Sequence, residues 1–304
     1  MENPAFFQLR ESRRQFLALV EDVRPELHRY CARMTGSVAD GEDVVQDTLA
    51  RAYYELPELK ELPALRAWLF RIAHNRALDF LRRYDRRMSE PLEVVMNRQD
   101  DVFPEPDAEA VRQAAIRPAV SRFLELSVTQ RSCVILMDVL DYSLEEIAAT
   151  LDLSVPAVKA ALHRGRVRLR QLATSAEPLS PRSATPTMER YAELFNARDW
   201  EGIRAMLAND VRLDLVTREN RSGIADVAHY FTNYGDVAGW RAEPAWVDGR
   251  EVLAMFRAPS DSSPGYFIEL TFVADVVAVI RDFRYVPYIA RDADFELRHR
   301  RRAL

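Results

Sequence analysis

At 304 residues, with 48% apolar and 29% charged positions, the chain exceeds one ordinary domain and carries enough apolar material for two or three, which excludes disorder as its dominant state. A net charge of −5 excludes a uniformly basic nucleic-acid binder and moves attention to local runs of charge. No stretch approaches the roughly 18 consecutive apolar residues of a membrane span. The opening Met1–Arg14, where Glu, Arg and Gln mix with Phe6, Phe7 and Leu9, resembles neither a signal peptide nor an anchor, so the chain is expected in the cytosol without membrane insertion. Cys31 and Cys133 lie far apart inside apolar helical patterns. Without partnering histidines they give neither a zinc spacing nor a disulfide framework, and both read as core residues. No metal and no cofactor is expected.

From Phe6 to Arg87 the apolar residues recur at helical spacing, as in Val44, Val45, Leu49 and Ala52, or Leu65, Leu69, Ile72 and Phe80, which predicts an all-helical domain. Breaks fall at Thr35-Gly36-Ser37 and between Pro57 and Pro63. The end of this stretch is basic, with Arg76, Arg82, Arg83, Arg86 and Arg87. Residues 90 to 109 are then acidic and carry Pro91, Pro104 and Pro106, the composition of a flexible linker. Helical periodicity returns from Ala108 to Ala173. A second linker, rich in Ser, Thr and Pro, precedes Thr187.

Beyond Thr187 two short helices, Met188 to Ala197 and Trp200 to Leu207, give way to strand patterns at Val211 to Thr217, Arg241 to Val247, Val252 to Phe256, Phe267 to Val273 and Val276 to Phe283. Turn signals at Asp248-Gly249 and Pro264-Gly265 suit a curved antiparallel sheet with helices packed on it, an α+β domain. The chain thus divides into a helical domain 1–88, an acidic linker 89–107, a second helical domain 108–173, a linker 174–186, an α+β domain 187–290 and a basic tail 291–304.

The sharpest local signal lies at residues 143 to 170. Ser143-Leu-Glu-Glu146 is a capping box, and Leu144, Ile147, Ala148 and Leu151 form one apolar stripe. A turn at Asp152-Leu153 leads to Ser154, a second helix cap, with Pro156 in the first turn. The second helix buries Val155, Val158, Leu162 and Leu169 and presents Lys159, His163, Arg164, Arg166 and Arg170 on its other side. An apolar back and a cationic front, in a helix-turn-helix pattern, fit the major groove of duplex DNA. A solvated basic face on an ordinary helical hairpin would give the same pattern.

Three motifs in order resemble the sigma-70 family, specifically its extracytoplasmic-function group, over about the first 173 residues: Asp43-Val-Val-Gln46-Asp47-Thr48, Trp68-Leu-Phe-Arg71 through Asn75-Arg76 to Asp79-Phe-Leu-Arg82-Arg83, and the helix-turn-helix. The resemblance implies two all-α sigma domains, with core RNA polymerase and promoter DNA as partners. It assigns Asp43, Gln46 and Asp47 to binding a basic coiled coil of the polymerase. Asn75, Arg76, Asp79, Arg82 and Arg83 are assigned to the minus-ten element. Ser154, Lys159, His163, Arg164 and Arg166 are assigned to the minus-thirty-five element. Asn75 and Asp79, four apart, share a helix face where an unstacked base would be captured. Trp68 reads as a core anchor, and His74 takes no role. The acidic linker would pass through polymerase channels that later hold nucleic acid, or else be a solvated spacer. In much of the family the recognition helix continues after Val-Lys with Ser-Arg. Here Val158-Lys159 meets Ala160-Ala161, so readout must lean on Lys159, His163 and Arg164 or on DNA shape.

Residues 187 to about 290 resemble a SnoaL-like domain of the nuclear-transport-factor-two-like cone fold, on Tyr191-Ala-Glu-Leu-Phe195-Asn196-Ala-Arg198-Asp199-Trp200 and Leu207-Ala-Asn-Asp210-Val211. Of a linker motif that often precedes such domains, only Glu177-Pro178 survives. In cyclase and isomerase relatives a His/Asp pair inside the cone works on the substrate. Here any such pair must rest on His229 with Asp214, Asp226 or Asp282, and a lone histidine is more often a surface or capping residue. Tyr191, Phe195, Trp200, Tyr230, Trp240 and Phe256 are expected to fill the cone and its rim. The expected function is a promoter-recognition subunit without catalytic residues, modulated by its last domain and by a small ligand in the cone. A helix-turn-helix regulator independent of polymerase and a cyclase or hydrolase with a DNA-binding appendage are the competing functions.

Overall fold

A computed structural model describes residues 4–56, 65–88, 120–174, 183–235, 239–258 and 260–297. The Pro57–Pro63 break, the acidic linker 89–107, most of the linker 174–186 and the last residues of the basic tail lie outside the described residues. The chain forms two compact units, Met1–Glu177 and Pro178–Leu304.

The first unit is helical. Helix α1 (Pro4–Thr35) ends where Gly36 takes φ +75°, a left-handed conformation that glycine adopts without strain, and Ser37 then caps α2 (Val38–Glu55) by accepting from the Asp40 amide. At Gly41 the two helices meet so closely that a Cβ would stand 2.5 Å from the Ala32 backbone. Helix α3 (Leu65–Met88) closes the bundle. A 3₁₀ turn (Val120–Glu125) leads to α4 (Val128–Val134), which widens into a π-helical turn (Ile135–Val139) before α5 (Leu144–Leu151) and α6 (Val155–Thr174). The capping box forms as the sequence requires: Ser143 Oγ accepts from the Glu146 amide at 3.2 Å, and the Ser143 amide donates to Glu146 at 2.8 Å. Asp152 takes φ 55° at the turn, and Ser154 Oγ receives the Ala157 amide.

The two helical regions share one core. Phe16, Leu27, Tyr30, Val45, Leu69 and Phe70 of the first lie in the same apolar cluster as Phe123, Ile135, Ile147, Val158 and Leu162 of the second, together with Cys31 and Cys133, both buried as free thiols. The seam between them also carries polar ties. Arg131, buried, donates to the carbonyls of Met34, Leu124 and Leu126. Arg66 pairs with Glu26 and lies 5.1 Å over the Tyr142 ring, which packs edge-on against Phe70.

In the second unit, helices α7 (Pro186–Ala197), α8 (Trp200–Ala205) and α9 (Ile224–Gly235) cover a seven-stranded sheet in the order β2-β1-β6-β5-β4-β3-β7. The strands are β1 (Leu207–Leu215), β2 (Glu219–Ser222), β3 (Arg241–Val247), β4 (Arg250–Phe256), β5 (Tyr266–Val273), β6 (Val276–Asp282) and β7 (Phe295–Leu297). The sheet is mixed where an antiparallel one was expected, because β1 pairs β6 in parallel. Residues expected in a basic tail instead form α10 (Tyr288–Asp292) and β7, which pairs with β3. Strand alternation sends Leu253 and Met255 into the core under the helices. Phe256 is the opposite parity, so it is buried on the other face and does not fill the cone as expected.

Candidate functional site

Helix α2 is buried along Val44, Val45, Thr48 and Ala52, and the intervening positions set its outer face. Asp43 and Gln46 are half-buried there, and Asp47 is 61% exposed. Glu42, one residue before the motif, is fully buried and paired with Arg24 of α1, a structural acid next to the exposed ones.

On α3, Asn75 is exposed and Asp79 half-buried, while Trp68 packs partly against the core, as expected. Asp79 gathers Arg76 at 3.1 Å and Arg82 at 3.7 Å, and Arg83 reaches back to Asp47 at 3.9 Å. Asp47, Arg76, Asp79, Arg82 and Arg83 line one open cleft of about 340 Å³. The structure therefore joins residues assigned to polymerase with residues assigned to DNA, leaving Asn75 outside the ion cluster. His74, given no role by the sequence, sits at the seam: its Nδ1 is 2.8 Å from the Tyr30 hydroxyl and 3.3 Å from Ser132 Oγ. Burial pulls the imidazole down to about 4 and pushes the Tyr30 hydroxyl up.

On α6, Lys159 and Arg164 are exposed and His163 half-buried, whereas the Ser154 hydroxyl is occupied as a helix cap. Arg166 departs from the expected cationic front. Its guanidinium grips buried Asp138 of the π-helical turn through two hydrogen bonds, so it braces α6 against the core. Sequence periodicity placed it on the exposed side because its partner is 28 residues away.

In the second unit no His/Asp pair is assembled, and His229 lies at the surface, the reading favoured for a lone histidine. His229 and Asp226 are exposed on α9, and Asp214 lies beside Arg281 at 3.3 Å. Asp282, fully buried at the end of β6, instead accepts from the Tyr230 hydroxyl at 2.6 Å, the Tyr234 hydroxyl at 2.9 Å and the Arg284 amide at 2.7 Å. The Tyr266 hydroxyl continues the chain, 2.8 Å from that of Tyr234. Burial raises the Asp282 carboxyl above its ordinary range against the pull of these donors, and raises all three tyrosines. Trp240 closes this group, edge-on to Tyr234 and Tyr266, with Arg284 and Arg257 at 5.3 and 5.9 Å from its ring. Tyr191 and Phe195 fill the same core, with Trp200 at its margin, as expected. The sequence signal for the network was two tyrosines at i and i+4 on an apolar helix and one acid closing an apolar strand.

Among the described residues there is no cluster of three or more metal-ligating side chains, and no helix long and apolar enough to cross a membrane.

Comparison with known proteins matches residues 19–87 to Sigma-70 region 2, residues 120–169 to Sigma-70 region 4, and residues 188–284 to the SnoaL-like domain. The ECF RNA polymerase sigma factor SigG of Mycobacterium tuberculosis is 33% identical over 215 residues, 62% of this chain; the chain spans 58% of SigG's length. SigM of the same organism, also an ECF RNA polymerase sigma factor, is 34% identical over 148 residues, covering 48% of this chain and 71% of SigM. The crystal structure of Mycobacterium tuberculosis extracytoplasmic function sigma factor SigJ covers 88% of this chain and 95% of its own at 19% identity, with a TM-score of 0.36.

Proposed function

Because this chain belongs to the extracytoplasmic-function family of RNA polymerase sigma factors, we propose that it binds core RNA polymerase in the cytoplasm and directs promoter recognition and transcription initiation. It does so as a binding subunit and not as an enzyme. Helix α2 meets the polymerase through Asp43, Gln46 and Asp47. Helix α3 meets the minus-ten element through Asn75 and the Asp79 cluster, and α6 meets the minus-thirty-five element through Lys159, His163 and Arg164. The observation that supports this reading is that Asp47, Asn75, Lys159 and Arg164, at least one from each motif, are exposed on helices whose other side is core.

The two elements stand about 25 base pairs apart, roughly 85 Å at 3.4 Å per step, while a compact unit of this length is about 40 Å across. The seam joining α1 and α3 to α4 and α5 must therefore part for both elements to be read at once. The SnoaL-like domain modulates this activity as a binding module. The filling of its interior by aromatic side chains supports that role over turnover.

The test is run-off transcription from a pool of promoter fragments with purified core polymerase, comparing the full chain with one ending at Glu177. Protein-dependent transcripts are expected, with the difference between versions giving the sign of the modulation. Failure of both versions to bind polymerase would replace this reading with a DNA-binding regulator that acts alone.

A further inference from the structure

The polar face of α2 does not end at Asp47. A helix returns to the same side after seven residues, two turns and about 10 Å further on. Seven past Gln46 stands Tyr53, and seven past Asp47 stands Tyr54. Tyr54 is 81% exposed, the most exposed of the large hydrophobic residues described. Single exposed apolar residues are ordinary, but this one is built into place. Its ring lies 6.4 Å edge-on from that of Tyr53, which lies 6.3 Å from Phe16, itself buried in the shared core. The result is a run of aromatic rings from the core to the surface, with its outermost ring two turns beyond Asp47 on the same side of the helix. Arg51, the cation nearest along the helix, is turned to Glu55 at i+4.

We propose that Tyr54 is a contact residue for core RNA polymerase, extending the docking face of Asp43, Gln46 and Asp47 by two helical turns. This rests on the reading of α2 as the polymerase-facing helix. The partner that fits is a long, basic, helical surface. Its cations near one end answer Asp43 and Asp47, and further along a guanidinium or ammonium group lies over the Tyr54 ring. Tyrosine suits this role because it adds contact area at a small loss of rotamer freedom, and rigid aromatic residues dominate the energy of protein interfaces. The acids steer association, whereas Tyr54 lengthens the life of the complex.

The experiment measures binding of the full-length chain to purified core polymerase by surface-immobilised kinetics at several salt concentrations, for wild type, Y54A, Y54F and D47N, with thermal melts confirming that each folds. Expected for Y54A is about a tenfold loss of affinity, carried by faster dissociation with an unchanged salt dependence, while Y54F stays within about twofold of wild type. D47N is expected to slow association and flatten the salt dependence. Y54A binding like wild type while D47N is weakened would overturn the inference and leave α2 as the docking helix. Y54A and D47N both binding like wild type would overturn the inference together with the reading of α2 beneath it.

Discussion

Arg166 sets its Nε 3.0 Å and its Nη2 2.5 Å from the two carboxylate oxygens of Asp138, tying α6 to the π-helical turn beneath it. Asp138 is 4% exposed and Arg166 24%, so the pair lies largely out of water. Removing one partner leaves a buried charge uncompensated, which costs about 3 kcal/mol. Arg166→Ala should lower the unfolding free energy of the helical unit by that amount, read as a fall in its denaturant midpoint at unchanged m. Lys159→Ala and Arg164→Ala should leave stability unchanged and each reduce the salt slope of DNA binding by about 1. An R166A protein that melts like wild type yet binds DNA weakly would return Arg166 to the DNA face.

His74 makes the helical unit sensitive to acid. Burial lowers its pKa from 6.5 to about 4, so the folded state holds the neutral ring while the unfolded chain takes a proton at higher pH. The stability tied to this group is whole above 6.5 and is lost as pH falls toward about 4. The loss is on the order of 3 kcal/mol. Denaturant midpoints measured from pH 7 to pH 4.5 should fall more steeply for wild type than for His74→Asn, and parallel curves would remove His74 as the cause.

How much of this was legible depends on range. Ser143, Glu146 and Ser154 fix their helix ends through partners three residues away, so the helix-turn-helix could be read residue by residue. Strand β3 coincides with its expected span for the same local reason. Strand β2, Glu-Asn-Arg-Ser, was missed because an edge strand outside the core needs no apolar alternation. The pairing of β7 with β3, the inward turn of Arg166 and the meeting of Asp282 with Tyr230 across 52 residues are set by tertiary packing, which periodicity does not encode. Histidine is the usual acid-base residue, yet His229 is exposed and the buried carboxyl among the described residues of this domain is Asp282.

Asp282 acts with the opposite sign to His74. Its carboxyl is raised by burial, so the folded state keeps its proton longer than the unfolded chain does. The associated stability is present at low pH and is lost as pH rises through the folded value. Asp282→Asn stays neutral throughout. The wild-type domain should therefore lose stability relative to D282N as pH climbs from about 4, near the ordinary carboxyl value, toward neutrality. Relative to D282N, Asp282→Ala should cost about 3 kcal/mol by removing the oxygen that accepts from both the Tyr230 and Tyr234 hydroxyls, a gap that does not change with pH because neither variant titrates. Calorimetric unfolding of the three proteins across pH separates the two effects, and a pH-independent gap between wild type and D282N would mean the carboxyl titrates as it does in the unfolded chain.

Tyr142 tests whether the seam opposes polymerase binding. Its ring packs on Phe70 and under Arg66, and so ties the helix-turn-helix region to α3. Tyr142→Ala should destabilise the helical unit by about 3 kcal/mol, the ordinary loss for a buried aromatic side chain. If the unit must part to engage polymerase, apparent affinity is reduced by the fraction of molecules already open, and weakening the seam raises that fraction. A less stable protein that binds core polymerase about tenfold more tightly is therefore expected, the reverse of what loss of a contact residue gives. Titration of core polymerase with Y142A and wild type at a temperature well below both melting transitions decides the matter. Weaker or equal binding by Y142A would mean that the closed seam sets no barrier to assembly.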